Sequence, residues 1–308
     1  MAVIEIESLT KDFAVGFWRK HSVRALDGLT LQVERGEVFG FLGPNGAGKT
    51  TTLKLLMNLI RPTSGTARIL GERVDSVPMH GRIGYLPENP YFYDYLTAEE
   101  LLLYVGRLVG MTQPALGRKV GAMIESVGLG AARRLPLRKY SKGMVQRIGI
   151  AQALLNEPEV VFLDEPMSGL DPLGRREVRQ IIAGLRGRGV TVFFSSHILP
   201  DVEALCDRVA IMNGGRLREI GPLDAILNME IEGHEILVGR VSPGLVERFR
   251  EVCGEVTPLG DRIHLRARGA AEVEAAVRLA VAQGAEIMAV NPIRRSLEDY
   301  FFSEVHKG

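Results

Sequence analysis

The first hydrophobic pattern along the chain is an alternation of apolar and polar residues. It covers Val3–Leu9 and Leu29–Val33, and it predicts two strands that each have one buried and one solvated face. Lys11–Leu26 lies between them without that pattern, so we expect a hairpin with a long, exposed loop. Trp18, the chain's single tryptophan, stands among cations there. It either anchors the loop or contacts lipid headgroups or a partner.

A second pattern is the continuous apolar run. Val38–Leu42, Val160–Leu163 and Val190–Phe194 are apolar over most of their length, which is typical of parallel strands buried on both faces. Three further short strands are predicted at Thr66–Leu70, Arg82–Leu86 and Arg208–Met212. Helical stretches separate these runs, so the sequence predicts an α/β core.

Helix signals cluster in the middle of the chain. Thr97 and Glu100 have the spacing of a capping box ahead of three leucines, which predicts that a helix begins there. Helical periodicity continues through Val120–Val127, and Ser141 is predicted to cap a further helix. We therefore expect a helical insertion over about residues 93–150 of the α/β core.

The pattern changes beyond about residue 228. The predicted order there is β-α-β-β-α-β, which is that of a split ferredoxin-like unit. We therefore divide the chain into a first domain, residues 1–228, and a small α+β accessory domain, residues 229–308. The accessory domain holds no phosphate loop or metal-ligand cluster of its own, and Ser296–Glu304 is predicted to close it as an amphipathic helix.

Composition narrows the function classes. Hydrophobic residues make up 46% of the 308, and 38 basic residues against 37 acidic ones leave a net charge of +1. That balance gives no support to nucleic-acid binding. The two cysteines, Cys206 and Cys253, have no metal-ligand spacing and predict a reducing compartment. No apolar run approaches the roughly 18 residues that a membrane span needs, and the N-terminus does not read as a signal peptide.

A phosphate-binding loop follows the first buried strand. Gly43–Thr50 fits the pattern G-x-x-x-x-G-K-[ST], and it is followed by an apolar helical stretch. Glycines let successive backbone N–H groups point at a phosphate chain, and the helix N-terminus adds partial positive charge. Lys49 is expected to reach the β- and γ-phosphates of a nucleotide, and the Thr50 hydroxyl is expected to ligate Mg²⁺.

An acidic pair, Asp164 and Glu165, follows the buried strand Val160–Leu163. Asp164 stands at the end where ligands bind in open α/β sheets, and it suits Mg²⁺ coordination directly or through water. Glu165 is placed to orient the water that attacks the γ-phosphate. His197 ends another buried strand downstream of this pair, which favours a functional role for it over a purely structural one.

These motifs, in this order, make the chain similar to the ATP-binding subunit of an ATP-binding cassette (ABC) transporter over roughly residues 3–225. Phe13 matches the aromatic residue that stacks on adenine, Glu88 the glutamine that touches Mg²⁺, and His197 the histidine that holds the γ-phosphate. Ser141 and Gly143 belong to the five-residue signature, and Asp171 to the loop that crosses the dimer interface. The resemblance implies a phosphate-loop NTPase fold with a mixed sheet core, an antiparallel β subdomain and a helical insertion. Its ATP-binding residues would be Phe13, Gly43, Pro44, Asn45, Gly46, Ala47, Gly48, Lys49, Thr50, Thr51, Glu88, Ser141, Gly143 and Asp171.

Two departures from the family pattern are informative. Glu88 stands where most members have Gln. The glutamate keeps a side-chain oxygen acceptor and adds negative charge near Mg²⁺. The predicted Mg²⁺ ligands are Thr50, Glu88 and Asp164. The signature reads Tyr-Ser-Lys-Gly-Met instead of Leu-Ser-Gly-Gly-Gln, and it retains Ser141 and Gly143. Both departures resemble the export-type branch often called ABC-2.

The resemblance implies a mechanism and its partners. Two ATP-binding subunits, expected to be copies of this chain, would dimerise around two ATP molecules, with catalysis by Lys49, Glu165 and His197. A separate transmembrane permease would convert closure into export, which places the chain on the cytoplasmic face of the plasma (inner) membrane as a peripheral subunit. The alternatives are a soluble ABC-type ATPase acting on DNA or ribosomes, which would carry long coiled coils or two cassettes, and a small-molecule kinase, in which the signature has no role.

The resemblance also suggests a contact with the permease. Tyr91, Phe92, Tyr93 and Tyr95 follow Glu88 on a proline-flanked loop. They either pack the helical insertion onto the core or meet the permease, because aromatic residues are enriched at interface hot spots. We expect at least two of the four to be exposed.

Overall fold

A computed structural model describes residues 1–16, 21–226 and 231–294. The chain divides into two compact units, Met1–Leu223 and Asp224–Gly308. This division falls five residues before the predicted boundary after residue 228. Trp18 and the predicted helix Ser296–Glu304 lie outside the described residues.

The first unit begins with an antiparallel sheet whose strand order is β2-β1-β4-β5. Its strands are β1 (Ala2–Val15), β2 (His21–Glu34), β4 (Ser64–Ile69) and β5 (Glu72–Arg73). The inward residues Ile4, Ile6 and Leu31 are buried, as their alternation predicted.

The long exposed loop predicted between the first two strands is wrong. β1 and β2 stay paired far beyond the alternating segments, with Lys11 opposite Leu26 and Phe13 opposite Val23. Most of the side chains at this end are exposed, so no alternation of apolar residues marks the strands. The backbone ladder holds them together, and a cross-strand ion pair between Arg24 Nε and Asp12 Oδ1, 2.9 Å apart, adds to it.

The second sheet forms the centre of the unit and confirms the predicted α/β core. Its strand order is β10-β9-β3-β8-β7-β6, and all neighbours pair in parallel except β9 and β10. The strands are β3 (Val38–Leu42), β6 (Ile83–Leu86), β7 (Val160–Asp164), β8 (Thr191–Ser196), β9 (Arg208–Asn213) and β10 (Arg216–Pro222). Every residue of β3, β7 and β8 is buried.

Aromatic packing fixes one face of this sheet. The ring of Phe193 lies 5.4 Å from Phe39, 5.2 Å from Phe41 and 5.6 Å from Phe162, measured between ring centroids. These four rings come from three adjacent parallel strands and are all fully buried. The packing holds the carboxyl ends of those strands, where the polar residues follow, in a rigid row.

Helices connect the strands. They are α1 (Lys49–Leu56), α2 (Val77–His80), α3 (Ala98–Leu108), α4 (Ala115–Ser126), α5 (Lys142–Leu154), α6 (Pro172–Gly187), α7 (Leu199–Glu203) and α8 (Leu223–Ile226). The capping box predicted at the start of α3 is confirmed: Thr97 Oγ1 accepts from Glu100 N at 3.2 Å, and Glu100 Oε2 accepts from Thr97 N at 2.8 Å. Ser141 caps α5 as predicted, its Oγ accepting from Met144 N.

Helices α3, α4 and α5 form the helical insertion and share a hydrophobic core of their own. Leu102, Val120, Ile124 and Ile148 are completely buried within it. α5 also packs against β6 of the central sheet. The insertion is therefore joined to the sheet by the helix that begins at Ser141.

The second unit is a four-stranded antiparallel sheet with two helices. Its elements are β11 (Ile231–Gly239), α9 (Pro243–Val252), β12 (Glu255–Leu259), β13 (Arg262–Ala267), α10 (Ala270–Ala282) and β14 (Glu286–Arg294), and the strand order is β12-β13-β11-β14. Phe249 of α9 and Ala276 of α10 pack with Ile236 and Leu265 of the sheet in one buried core. Within residues 1–16, 21–226 and 231–294, no helix combines the length and apolar character needed to cross a bilayer.

Candidate functional site

The phosphate loop joins β3 to α1 with a backbone that only glycine can follow. Gly46 and Gly48 have φ angles of 83° and 101°, in the region that side chains disfavour. A Cβ on Gly43 would lie 2.6 Å from the carbonyl oxygen of Met212, and one on Gly48 would lie 2.7 Å from that of Ala25. No side chain caps the N-terminus of α1, which leaves its first N–H groups available to an anion.

A cavity of about 580 Å³ opens over this loop. It is lined by Ala25, Pro44, Asn45, Gly46, Ala47, Gly48, Lys49, Thr50, Thr51, Glu88, Glu165, Ser168 and His197. Its volume is within the range of small-molecule sites. The fold thus brings the predicted loop residues Pro44 to Thr51 together with Glu88, Glu165 and His197.

Lys49 is held in the cavity by three oxygen atoms. Its Nζ donates to the carbonyl oxygen of Gly43 at 2.6 Å and to that of Pro44 at 3.3 Å. It also lies 3.2 Å from Glu165 Oε1, and both side chains are less than a tenth exposed. The ammonium group is therefore already oriented at the loop by the chain's own oxygens.

Glu165 links Lys49 to His197. While Oε1 faces the ammonium, Oε2 lies 2.8 Å from His197 Nδ1. The backbone of Glu165 has a φ of 48°, an uncommon conformation for a residue with a side chain. Its N–H is held by Ser195, through the hydroxyl at 3.0 Å and the carbonyl oxygen at 3.2 Å. The carboxylate is thus fixed between two cation-forming side chains.

Asp164 ends β7 and is almost completely buried. Its Oδ1 accepts a 2.5 Å hydrogen bond from Ser195 Oγ, and its Oδ2 is buried without a partner in the described structure. Burial raises the pKa of this carboxyl, while Ser195 and the neighbouring Thr50 hydroxyl act in the opposite direction. A buried, unpaired oxygen beside the Thr50 hydroxyl is the donor set that a hard cation such as Mg²⁺ prefers.

No group of three or more His, Cys, Asp and Glu side chains gathers around a metal-sized space in the described ranges. Asp164 and Thr50 offer a carboxylate and a hydroxyl, which are oxygen ligands of the kind that Mg²⁺ takes together with water and phosphate. This arrangement fits Mg²⁺ that arrives with a nucleotide.

Sequence reasoning missed Ser195, which touches both Asp164 and Glu165. A signal for it was available, since Ser195 stands at the carboxyl end of a buried strand as Asp164 does. The structure pairs the two residues directly across the parallel strands β7 and β8. What the sequence does not contain is the information that these strands are neighbours.

Glu88 lines the cavity at the end of β6 and connects it to the helical insertion. Its carbonyl oxygen accepts from Gln146 Nε2 of α5 at 3.5 Å. Gln146 is buried and was not predicted as a site residue. This contact joins the loop that follows Glu88 to the helix that begins at Ser141.

Phe13 is not among the residues that line this cavity. It lies on β1, about one-third exposed, with Lys11 Nζ 5.0 Å from its ring centroid. Ala25 on β2 lines the cavity instead. The predicted stacking of Phe13 on adenine stays a prediction.

A separate cavity of about 310 Å³ contains the predicted residues Ser141, Gly143 and Asp171. It is lined by Ser141, Lys142, Gly143, Met144, Arg147, Gly169, Leu170, Asp171, Leu173, Gly174 and Glu177. Here Asp171 Oδ1 accepts from Gly174 N at 2.9 Å and caps α6, as Ser141 caps α5. The two cavities share no lining residue, so the fold does not bring Ser141, Gly143 or Asp171 to the phosphate loop of the same chain.

Comparisons with known proteins identify the family. Residues 26–168 match the family model described as ABC transporter. An uncharacterized ABC transporter ATP-binding protein of a Synechocystis strain is 45% identical over 99% of this chain and 85% of that protein. The bacitracin transport ATP-binding protein BcrA of Bacillus licheniformis is 36% identical over 99% of this chain and 98% of its own length. A solved structure of an ATP-binding subunit of an ABC transporter aligns with a TM-score of 0.63 and 28% identity, covering 90% of this chain and 99% of that one.

Proposed function

The chain belongs to the ABC transporter family as an ATP-binding subunit that hydrolyses ATP, and we propose how its residues divide that work between two copies. The observation that carries the proposal is the cluster of Lys49, Glu165 and His197 above the phosphate loop. It supplies one carboxylate within hydrogen-bond reach of both a cation and an imidazole. Phosphoryl transfer to water requires charge stabilisation and an oriented water, which these groups can provide.

The phosphate loop binds the nucleotide in this proposal. The free N–H groups at the start of α1 and the Lys49 ammonium bind the phosphates, with Gly43 to Thr51 forming the loop. Mg²⁺ would be held by Thr50, Asp164 and Glu88, and it would neutralise charge on the phosphate oxygens. Phe13 would stack on the adenine.

Glu165 and His197 act on the γ-phosphate. Glu165 contacts Lys49 and His197 at 3.2 and 2.8 Å. We infer that the phosphate of the bound nucleotide displaces the Glu165 carboxylate from Lys49. The carboxylate is then free to accept a hydrogen bond from the attacking water. His197 then holds the γ-phosphate through its ring.

The second cavity serves the other subunit's nucleotide. Ser141, Gly143 and Asp171 lie at the N-termini of α5 and α6. The partial positive charge at a helix N-terminus attracts an anion such as phosphate. Since they lie apart from the chain's own phosphate loop, a second copy must bring them there. We propose that two copies close around two ATP molecules and reopen after hydrolysis.

Concentration dependence tests this composite site. If a second copy completes the site, specific ATPase activity of the purified protein should rise with protein concentration before it saturates. The Lys49→Ala variant is the control and should show neither activity nor the dependence. Specific activity that is constant from nanomolar to micromolar protein would contradict the need for a second copy.

The aromatic loop supports a permease partner. Tyr91, Tyr93 and Tyr95 are 93%, 52% and 64% exposed, which confirms that at least two of the four aromatic residues face solvent. Phe92 instead packs against the core of the helical insertion. The ring of Tyr93 lies 5.8 Å from that of Tyr95 in a tilted arrangement, and Tyr104 of α3 meets Tyr93 edge-on at 6.3 Å. An exposed aromatic group of this size is typical of a binding surface.

We propose that this aromatic group receives a transmembrane permease on a separate chain. The subunit would then sit at the cytoplasmic face of the plasma membrane without binding nucleic acid, and the complex would export its substrate. The bacitracin transport relative is in keeping with export, while the substrate itself would be selected by the permease.

Pull-down from detergent-solubilised membranes tests the partner. The wild-type chain should retain a multi-span protein, and the double variant Tyr91→Ala/Tyr95→Ala should lose it while its ATPase activity persists. Leu259→Ala, at an exposed apolar residue of the second unit, is the matched control. Equal capture by both variants would exclude this loop as the docking surface.

A further inference from the structure

A buried carboxylate outside the described site belongs to Asp201, in α7. Its side chain is 3% exposed, and its Oδ2 is buried with no hydrogen-bond partner in the described structure. Arg179 NH1 lies 3.8 Å from the other oxygen, Oδ1. Removing a carboxylate from water costs free energy, so a buried acid requires neighbouring charges that compensate this cost.

The compensating charges come from one face of α6. Arg175 and Arg179 are one helical turn apart. Burial raises the pKa of the Asp201 carboxyl, and the positive charges of the two arginines offset part of that rise. Arg175 also donates through Nε to the carbonyl oxygen of Leu170 at 3.2 Å. Leu170 belongs to the loop Ser168–Asp171 that precedes α6. The two arginines therefore connect that loop to α7.

Asp201 also follows His197, a member of the catalytic cluster, by four residues in the sequence. Its N–H donates to the carbonyl oxygen of Ile198 at 3.3 Å, which turns the chain directly after His197. Leu199 and Val202 anchor the same short helix in the hydrophobic core. The position of α7 therefore sets where His197 meets Glu165.

We propose that Asp201 is a positioning residue, whose carboxylate ties the segment carrying His197 to the arginine face of α6 and thereby to the loop Ser168–Asp171. The proposal rests on the function proposed above, in which that loop lies at the contact between two copies. A displacement of the loop, transmitted by α6 as a rigid rod, would move His197 relative to Glu165. Formation of the dimer would in this way change the position of His197 relative to Glu165 in the same chain.

The test uses Asp201→Asn, which keeps the shape of the side chain and removes its charge. We expect kcat for ATP to fall about tenfold, the scale of couplings carried by packed networks, while KM and ATP affinity change less than about twofold. Asp75→Asn is the matched control, because Asp75 is exposed and paired with Arg73 at 3.0 Å; its kinetics should match those of the wild type.

Arg179→Gln removes the other partner at a side chain that is 35% exposed, so it remains informative if Asp201→Asn does not fold. It should lower kcat in the same direction. The double variant should be no worse than Asp201→Asn alone, because both changes break one connection. Losses that multiply in the double variant, or single variants with wild-type kcat, would overturn the proposal.

A measurement without nucleotide separates this proposal from the proposed function. The ring nitrogen shifts of His197, recorded by NMR on uniformly labelled nucleotide-free protein, should change in Asp201→Asn and Arg179→Gln but not in Asp75→Asn. Unchanged His197 shifts would refute the positioning role even if ATP is hydrolysed normally. A wild-type protein without ATPase activity would refute the proposed function, while the NMR comparison would still decide on Asp201.

Discussion

Replacing Glu165 by Gln should strengthen ATP binding and slow ATP turnover. The substitution keeps the size of the side chain and removes its negative charge. That charge lies 3.2 Å from Lys49 Nζ and 2.8 Å from His197 Nδ1. Lys49 would remain bonded to the carbonyl oxygens of Gly43 and Pro44, so the fold should survive.

The magnitude follows from the Lys49–Glu165 contact. Opposite unit charges 3.2 Å apart attract by about 5 kcal/mol at an effective dielectric constant of about 20. Desolvation of two side chains that are less than a tenth exposed offsets most of this attraction. A net contribution of about 1–2 kcal/mol remains, as is typical of a charged hydrogen bond.

ATP has to displace this contact in order to reach Lys49. Its removal should therefore tighten ATP binding by about tenfold, since each 1.4 kcal/mol is a factor of about ten. The nucleotide-free protein should become less stable by about 1–2 kcal/mol. Turnover should fall by about two to four orders of magnitude, because the group that orients the attacking water is lost.

Calorimetry with a non-hydrolysable ATP analogue, thermal unfolding and phosphate release measure these quantities. Glu159→Gln is the matched control: Glu159 lies just before β7, and its carboxylate is paired with Arg35 and Arg82 at 2.8 and 2.7 Å, away from the cavity. It should leave binding and turnover unchanged. Near-normal turnover in Glu165→Gln, or weakened ATP binding, would refute the reasoning.

Three further predictions concern the two cavities, the buried aspartate and the second unit. Ser141→Arg should stop hydrolysis but keep ATP binding, and mixing it with Lys49→Ala should restore at most one competent site per dimer; full activity of Ser141→Arg alone would exclude a site completed by a second copy. Burial raises the pKa of Asp164 in the folded protein, so its ionisation costs stability above that pKa and nothing below the unfolded value. Asp164→Asn should therefore raise the stability of the protein at pH 7 in the absence of nucleotide, with a gain that disappears in acid; an equal gain at all pH values would contradict this. Truncation after residue 228 should leave nucleotide binding intact, and a folded truncation that no longer binds ATP would show that the second unit takes part.

Local patterns were sufficient wherever the structure depends on near neighbours in the chain. The start of α3 at Thr97 and the cap of α5 at Ser141 were predicted correctly because capping involves residues three apart. The buried strands β3 and β7 were predicted because both of their faces are apolar. The pairing of β1 with β2 from Lys11 and Leu26 onward was not predicted, because the exposed side chains there show no alternation of apolar and polar residues.

The sequence by itself determined which groups this protein has for ATP chemistry and in what order they follow along the chain. Only the tertiary structure decided which of them meet. Glu165 and His197 are 32 residues apart in the chain, and they touch because β7 and β8 are neighbours in register. Ser141 is kept away from the phosphate loop because α5 begins at a different cavity. The physical reason is that strand order and register arise from packing of the whole core, in which every apolar strand resembles the others locally.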